Sequence, residues 1–414
     1  METADILVIG GGASGLLAAG TAASKGKKVV ILERMPRPAR KLRITGKGRC
    51  NITNIAPIKE FLQHTGPDNR FLNPVFSRFF SGELIAFLNS IGIKTITERG
   101  GRVFPEGGDA KIVTDKLVSW AERQGVKIQC GIRVMSIIRK ENTVTGVMTD
   151  NGTVIHAPAV ILASGGCSYP LTGSTGDGYT IASELGHSVK TPLPVLVPLN
   201  ITAKSLEALA GLELKNVRVN VFVEEIKCGD AFGDMTFTGN SISGPIILSL
   251  SRRYMQDITD GKKVVFMLDL KPALNNSKLD LRLIREINAD GKRTYRAMLN
   301  SLLPMKLIPE FVKMAKIPQI KPAAHLSPDD RNKIRLLLKG MPLEICGHRG
   351  FEEAIVTAGG VSTAEIDPTT MESKLIKNLY FAGEVIDLDA DTGGYNLQIA
   401  FSTGWLAGMS AATK

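Results

Sequence analysis

Gly10, Gly12 and Gly15 set the spacing G-x-G-x-x-G between an apolar run, Ile6-Leu7-Val8-Ile9, and a stretch that begins Leu16-Leu17-Ala18-Ala19. The chemistry such a turn supports is pyrophosphate binding. Gly10 permits the tight turn, Gly12 lets backbone N–H groups reach a phosphate, and Gly15 lets a helix pack closely on a strand. The helix that starts at Ala13 and Ser14 then aims its unpaired N–H groups and positive dipole end at the phosphates. A second apolar run, Val29–Leu32, ends in Glu33, where an acid holds the ribose hydroxyls of an adenosine. Arg34 beside it leaves the choice of dinucleotide open.

Two further stretches have ligand-binding composition. Thr45-Gly46-Lys47-Gly48-Arg49-Cys50-Asn51-Ile52-Thr53-Asn54 reads as a loop that wraps a ligand through backbone and amide groups. Thr392-Gly393-Gly394-Tyr395-Asn396-Leu397-Gln398 places a glycine pair before the last helical stretch, which offers more backbone donors. With the phosphates accounted for at Gly10–Gly15, the polar edge of a flavin ring suits these donors, and Tyr395 and Asn396 are expected at that edge. Cys50 is the candidate proton donor, since a thiol near basic groups has a tunable pKa. A small residue packed against the ring is the plainer reading of Cys50. The five histidines (His64, His156, His187, His325, His348) lie outside these motifs and read as surface or satisfied core.

The elements that position these residues follow from periodicity. Strand-like runs recur at 126–130, 159–163, 354–361 and 379–386, each apolar enough for a sheet buried on both faces. Alternating strands are expected at 134–138 and 144–149, and helices over 76–89 and 111–124. Pro192, Pro194 and Pro198 mark a boundary. Beyond it come strands such as 217–223 and 264–268, then a helical, basic stretch from 279 to 340. The fold class is therefore α/β. A Rossmann-like dinucleotide-binding sheet opens the chain and resumes after 354.

Charge and cysteine usage narrow the partners. The chain carries a net charge of +11 over 414 residues. Residues 271–350 hold 16 Lys/Arg against 7 Asp/Glu, and residues 34–59 hold eight Lys/Arg and no acid. Such asymmetry suits a polyanionic partner, the bland alternative being a solvated lysine-rich helix face. Candidate phosphate contacts are Lys292, Arg293, Arg296, Arg331, Lys333 and Arg335. Five scattered cysteines without a C-x-x-C pair argue against a zinc site or redox disulfide and suit a reducing cytoplasm. No membrane span and no secretory signal are expected.

Gly10–Gly15, Glu33, Gly46–Asn54 (G-x-G-R-C-N-x-T-N), Thr357–Val361 (T-A-G-G-V), Tyr380–Glu384 (Y-F-A-G-E) and Gly393–Gln398 (G-G-Y-N-L-Q) together resemble one family along nearly the whole chain. It is the BaiN-like or YhiN-like (aminoacetone-oxidase-like) FAD flavoproteins of glutathione-reductase-type fold. The resemblance implies an FAD-binding Rossmann-like domain over 1–191 and 354–414, interrupted by a β-rich, barrel-like domain (192–270) and a basic helical domain (271–353), with FAD held by the first turn and by Glu33, Arg34, Arg40 and Lys41. It extends the site to Gly48, Arg49, Cys50, Asn51 and Thr53, to Val134, and to Ala163, Gly165 and Gly166. At the C-terminal end it implies Gly383, Glu384, Asp387, Gly394, Tyr395, Asn396 and Leu397. One departure stands out: members often carry T-H-x-G-x-S-G-P, and here Gly239 replaces the histidine and Ser241 the following glycine.

Activities implied by the resemblance are reduction of uridine in ribosomal RNA, oxidation of a small amino-ketone, and reduction of steroid enones. With a single dinucleotide turn, NADPH or NADH would dock transiently as hydride donor. The basic stretches favour ribosomal RNA as substrate, because phosphate neutralisation supplies most sequence-independent affinity. A small-molecule oxidase or enone reductase is the alternative enzyme. An FAD-containing RNA-binding or assembly protein without turnover is the non-enzymatic one.

Overall fold

A computed structural model describes residues 4–66, 68–202 and 204–413. Two compact units result: one holds the chain up to Val195 and again from Phe351, the other Leu196–Gly350. The first unit is built on five parallel strands in the spatial order Leu379–Phe381, Ala159–Leu162, β1 (Ile6–Ile9), β2 (Val29–Glu33) and Lys127–Cys130. β1 lies at the centre with all four residues buried, pairing Ile6 with Val29 on one side and Ala159 on the other. Burial on both faces is why it reads as an unbroken apolar run.

The helix after β1, α1 (Ala13–Ala23), has ten of its eleven residues buried. The last helix, Tyr395–Ala412, lies directly on it. A Cβ added at Gly404 would sit 2.4 Å from the Ser14 carbonyl oxygen, and one at Gly408 would sit 2.3 Å from that of Ala18. Only glycine allows backbones to approach this closely. Because 404 meets 14 and 408 meets 18, the two helices run in the same direction. The last helix therefore begins nine residues, or about 13 Å, beyond the level of Ser14.

Around this core the expected hairpin forms from Val134–Lys140 and Thr143–Thr149, with Val154–His156 as a third strand. The expected helix near 111–124 is present as Ala110–Arg123, capped by the Asp109 carboxylate accepting from Lys111 N–H at 2.8 Å. The amphipathic stretch 76–89 is not one helix. It breaks between Leu72–Phe76 and Ser81–Ser90, where Glu83 accepts from the Phe80 N–H at 3.0 Å and starts a new helix. Phe61, Phe76 and Phe80 meet edge-on or tilted at 4.8–5.1 Å across that break, so the tertiary aromatic cluster overrides the helical period.

The second unit is a closed barrel of six antiparallel strands. Its members are Leu199–Ile201, Ser241–Ser243, Ile226–Phe237, Glu213–Val223, Val264–Asp269 and Met341–His348. Helices Asn276–Ala289, Ile308–Ala315 and Pro328–Lys339 form an excursion between the last two strands. Residues 341–348, expected within the basic helical domain (271–353), are thus a barrel strand. Met341, Leu343 and Ile345 point inward in alternation, a short period-2 signal that follows a long basic helix. Among the described residues no helix is long and apolar enough to cross a membrane.

The contact between α1 and the last helix yields a test. Gly408→Leu forces a side chain into the Ala18 backbone and should cost about 1–3 kcal/mol. The expected readout is a lower denaturant midpoint, and an unchanged midpoint would show that the helices separate freely.

Candidate active site

The glycine turn behaves as its spacing requires. A Cβ at Gly15 would fall 2.0 Å from the Gly10 carbonyl oxygen, and one at Gly10 would fall 2.5 Å from that of Ala163. Both positions are closed by protein. Gly12, in contrast, has no protein atom within 4 Å of a Cβ position, so its outer side is open. The first intrahelical bond is Leu16 N–H to the Gly12 carbonyl at 2.9 Å, and the first turn carries no acid. The N–H groups of Ala13, Ser14 and Gly15 therefore have no intrahelical partner and point into that opening. A pyrophosphate fits there.

Glu33 is buried at the end of β2 and its carboxylate holds the turn itself. Oε2 accepts from Gly11 N–H and Oε1 from Met35 N–H, each at 2.8 Å. Burial raises its pKa, against the two N–H bonds and Arg34 and Arg40, which pull it down. Arg34 turns to Asp177, 3.0 Å away, which Arg133 also clamps at 2.8 Å. This ion-paired knot, which the sequence did not announce, ties the end of β2 to the 173–177 loop.

A second knot lies where the strands Ala159–Leu162 and Leu379–Phe381 end. Glu384 accepts from Lys41 Nζ (2.8 Å), Ser168 Oγ (2.9 Å) and Thr357 N–H (2.8 Å), and Lys41 also donates to Ser168 Oγ (3.0 Å). Thr357 Oγ1 in turn accepts from the N–H groups of Cys167 and Ser168. Burial pushes the Glu384 carboxyl up, yet the Lys41 ammonium and the hydrogen bonds outweigh it and hold the group below its usual range. Gly166 sits against this knot, with Thr357 Oγ1 2.5 Å from its Cβ position. Lys41, Gly166 and Glu384 were candidates from sequence. Ser168 and Thr357 were not, because a serine and a threonine carry no signal until Glu384 stands beside them.

The loop at 46–54 is braced against the start of the last helix. Assigned from its hydrogen-bond network, the Asn51 amide donates to the carbonyls of Thr53 and Val103 and accepts from Gly394 N–H at 3.1 Å. Asn54 donates to the carbonyls of Gly100 (2.9 Å) and Gly393 (3.2 Å). Thr53 Oγ1 bonds Gln398. Gly394 must be glycine: its φ is +99°, and a Cβ would lie 2.3 Å from the Thr53 carbonyl oxygen. Arg49 pairs with Glu98 and lies over the Phe104 ring at 4.3 Å.

Several expected roles change here. Cys50 is fully buried with φ +57°, and burial pushes its thiol up to about 12 despite a Thr45 hydrogen bond. No basic group lowers it, so it is packed in as a neutral thiol and is unsuited to deliver a proton. The Asn396 amide is spent on the backbone of Ala390 and Asp391, leaving only its N–H for a ligand. Asp387 pairs with Lys190. Val134, Ala163 and Gly383 lie in the buried wall of this unit. Most important, His64, expected to lie apart from the motifs, is packed on one of them. Its ring stacks on Tyr395 at 4.5 Å and its Nδ1 is 3.1 Å from Asp391 Oδ2.

The proposed RNA-binding cations are partly committed elsewhere. Arg293 pairs with Glu286, Arg331 with Asp280 and Lys333 with Asp329. Arg296 and Arg335 donate to Gln319 and Asn332. Of the six only the Lys292 ammonium forms no hydrogen bond or ion pair among the described residues. Local pairing, only that of Arg331 with Asp280 joining two helices, occupies these side chains and is invisible in a count of charges.

A parallel sheet whose central strand feeds a glycine turn, with a second helix N-terminus farther along the same side, defines a Rossmann-type flavoenzyme domain. The chain belongs to the family described as HI0933-like protein Rossmann domain, which matches residues 4–410, and it is an FAD-dependent oxidoreductase. A 3-dehydro-bile acid delta(4,6)-reductase of Clostridium scindens is 34% identical over 409 residues, covering 98% of each chain. A ribosomal RNA dihydrouridine synthase of Haemophilus influenzae is 31% identical over 413 residues, covering 99% of this chain and 98% of its own. Among solved structures, a 3-ketosteroid-delta4-(5alpha)-dehydrogenase from Rhodococcus jostii RHA1 shares the fold. Its TM-score is 0.54 at 15% identity, over all of this chain and 97% of its own.

Two tests follow from the geometry. Gly12→Val meets open space and should leave the fold intact while blocking the phosphates, giving folded but colourless protein. Gly15→Val should instead unfold the domain, and equal FAD content in Gly12→Val and the parent would refute the placement of the turn. Lys41→Ala strands the Glu384 carboxylate and should cost about 2 kcal/mol at pH 7, less than for a fully buried pair because both partners are about one-fifth exposed. Since the folded-state pKa of Glu384 is depressed, the stabilisation is full above its ordinary value of 4.5 and fades as pH falls below it. The gap between variant and parent in denaturant melts should therefore close in acid.

Proposed function

We propose that the protein reduces a carbon–carbon double bond conjugated to a carbonyl group. One observation carries this reading. Two relatives matched along almost their whole length are named for saturating different molecules at the same kind of bond. In uridine the C5=C6 bond is conjugated to a ring carbonyl, and in a 3-oxo delta(4,6) steroid the double bonds are conjugated to the 3-oxo group. Bound FAD, once reduced, supplies the hydride.

The chain's own residues supply the rest. The N–H groups of Ala13, Ser14 and Gly15 would hold the diphosphate, and Glu33, each of whose oxygens keeps a second lone pair beyond its bond to the Gly11 or Met35 N–H, would accept from the adenosine ribose. Lys41, fixed by Glu384 and Ser168, places a positive charge near the glycine pair Gly165–Gly166. The Tyr395, Asn396 and Leu397 N–H groups have no intrahelical partner and sit at a helix start free of acids, so they stabilise negative charge on a ring edge. They lie about 13 Å past the level of Ser14 along the helix axis. NADPH or NADH is the proposed donor, docking transiently because the chain holds one dinucleotide turn.

Within this class we favour uridine in ribosomal RNA, on the +9 surplus of residues 271–350 and the acid-free run 34–59. The competing substrate is a small enone, favoured by the internal pairing of Arg293, Arg331 and Lys333. Mass analysis of ribosomal RNA from cells lacking the protein separates the two. Loss of a two-hydrogen mass gain at one uridine is expected. Unchanged RNA, with turnover of a 3-oxo-4-ene steroid by the purified enzyme, would move the assignment to small enones.

A further inference from the structure

Saturating a conjugated double bond needs a proton as well as a hydride, and neither the cysteine that the sequence suggests nor several other buried titratable groups are placed to provide it. Cys50 is sealed in the core. The Tyr179 hydroxyl donates to the Glu384 carbonyl from a buried position. His187 is buried with Nε2 on Ser373 Oγ at 2.7 Å, and His348 accepts from Gly350 N–H through Nδ1.

His64 differs from all of these. Its segment and the 389–391 segment pair as short antiparallel strands: Asp391 N–H donates to the His64 carbonyl and Gly66 N–H to the Asp389 carbonyl, each at 2.8 Å, and Thr65 bridges Ala390. The imidazole is held on two sides. Asp391, only 8% exposed, fixes Nδ1 at 3.1 Å, and the Tyr395 ring lies flat against it at 4.5 Å and 19°. Phe61 buttresses Tyr395 from another side at 4.7 Å. The side chain remains 37% exposed, and Nε2 has no protein partner among the described residues. A ring locked through Nδ1 by a buried carboxylate, with Nε2 free and open, is the arrangement in which an imidazole passes protons. Tyr395 is also the first residue of the helix whose N–H groups face the expected ring edge.

We infer that His64, oriented by Asp391 and Tyr395, is the general acid of the reduction; this rests on the conjugated-bond reductase reading above. The carbon β to the carbonyl accepts a hydride with its electron pair from the reduced flavin, which is oxidised. The π pair of the double bond moves toward the carbonyl as an enolate. The α-carbon then takes the proton from His64 Nε2, leaving a neutral imidazole that regains its proton from water. The product gains two hydrogens. Asp391 is a positioning residue.

The test uses the FAD-loaded enzyme reduced with dithionite and mixed anaerobically with one of two probes, a uridine-containing ribosomal RNA fragment or a 3-oxo-4-ene steroid. His64→Gln should keep its FAD and lose about 10²–10⁴-fold in the rate of flavin reoxidation by the acceptor. Added imidazole should restore part of that rate in His64→Ala, which a purely structural role would not permit. Independent of turnover, ¹⁵N-histidine spectra of the FAD-free protein at high pH should show His64 protonated at Nδ1, and Asp391→Asn should mix the two tautomers. Undiminished reoxidation in His64→Gln, or a His64 without tautomer preference in the parent, overturns the assignment. Failure of the parent with both probes overturns the reductase reading itself, and this role with it.

Discussion

Everything in the first unit depends on two helices touching backbone to backbone. Gly404 and Gly408 let the last helix lie on Ser14 and Ala18 of α1 at a distance that no side chain would allow. α1 is fixed in turn by Gly15 against Gly10, and β1 by pairing on both edges. The outcome is two helix N-termini, drawn from opposite ends of the chain, facing the same side about 13 Å apart along the axis. Neither terminus carries an acidic side chain in its first turn, so both keep their favourable field for a bound anion or a polar ring edge.

The polar groups beside these termini are arranged as knots. Glu33 spends its oxygens on the turn that precedes α1, Asp177 gathers Arg34 and Arg133, and Glu384 gathers Lys41, Ser168 and Thr357. A carboxylate withdrawn from water is costly unless paired, and here the buried Glu33 and the half-buried Asp177 and Glu384 are each met by several donors. Such knots leave little freedom to the loops that would surround a cofactor. They preorganise the site instead of waiting for the ligand to order it. The same logic explains Cys50, whose place in the motif reflects packing at a left-handed backbone position, with a thiol too buried to ionise.

Charge behaves differently in the second unit. The helices between the barrel strands carry a real surplus of cations, but Glu286, Asp280, Asp329 and Asp330 each take one or more of them. Exposed pairs of this sort contribute little to stability. They do reduce the number of ammonium and guanidinium groups that stand free for phosphates. A net charge therefore overstates an interaction surface whenever the acids are placed among the cations.

The strand–turn–helix at the N-terminus, the hairpin near 140 and the five strands of the parallel sheet were legible in the sequence, because each depends on local periodicity or on glycines whose spacing has a steric meaning, whereas Val356–Val361, expected in that sheet, pairs antiparallel with Val189–Val195 in a separate one. The family motifs at 46–54 and 393–398 were legible for the same reason. The helix break at Ser77–Phe80 and the barrel strand Met341–His348 were not, since aromatic contacts and strand closure come from residues distant in sequence. Nor was the most consequential placement. His64 and Asp391 are 327 residues apart, and nothing in the type or spacing of either marks it. Only the antiparallel pairing of 64–66 with 389–391 brings an imidazole, a buried carboxylate and Tyr395 together. Sequence determines which backbone turns can exist, while the folded chain decides which side chains those turns meet.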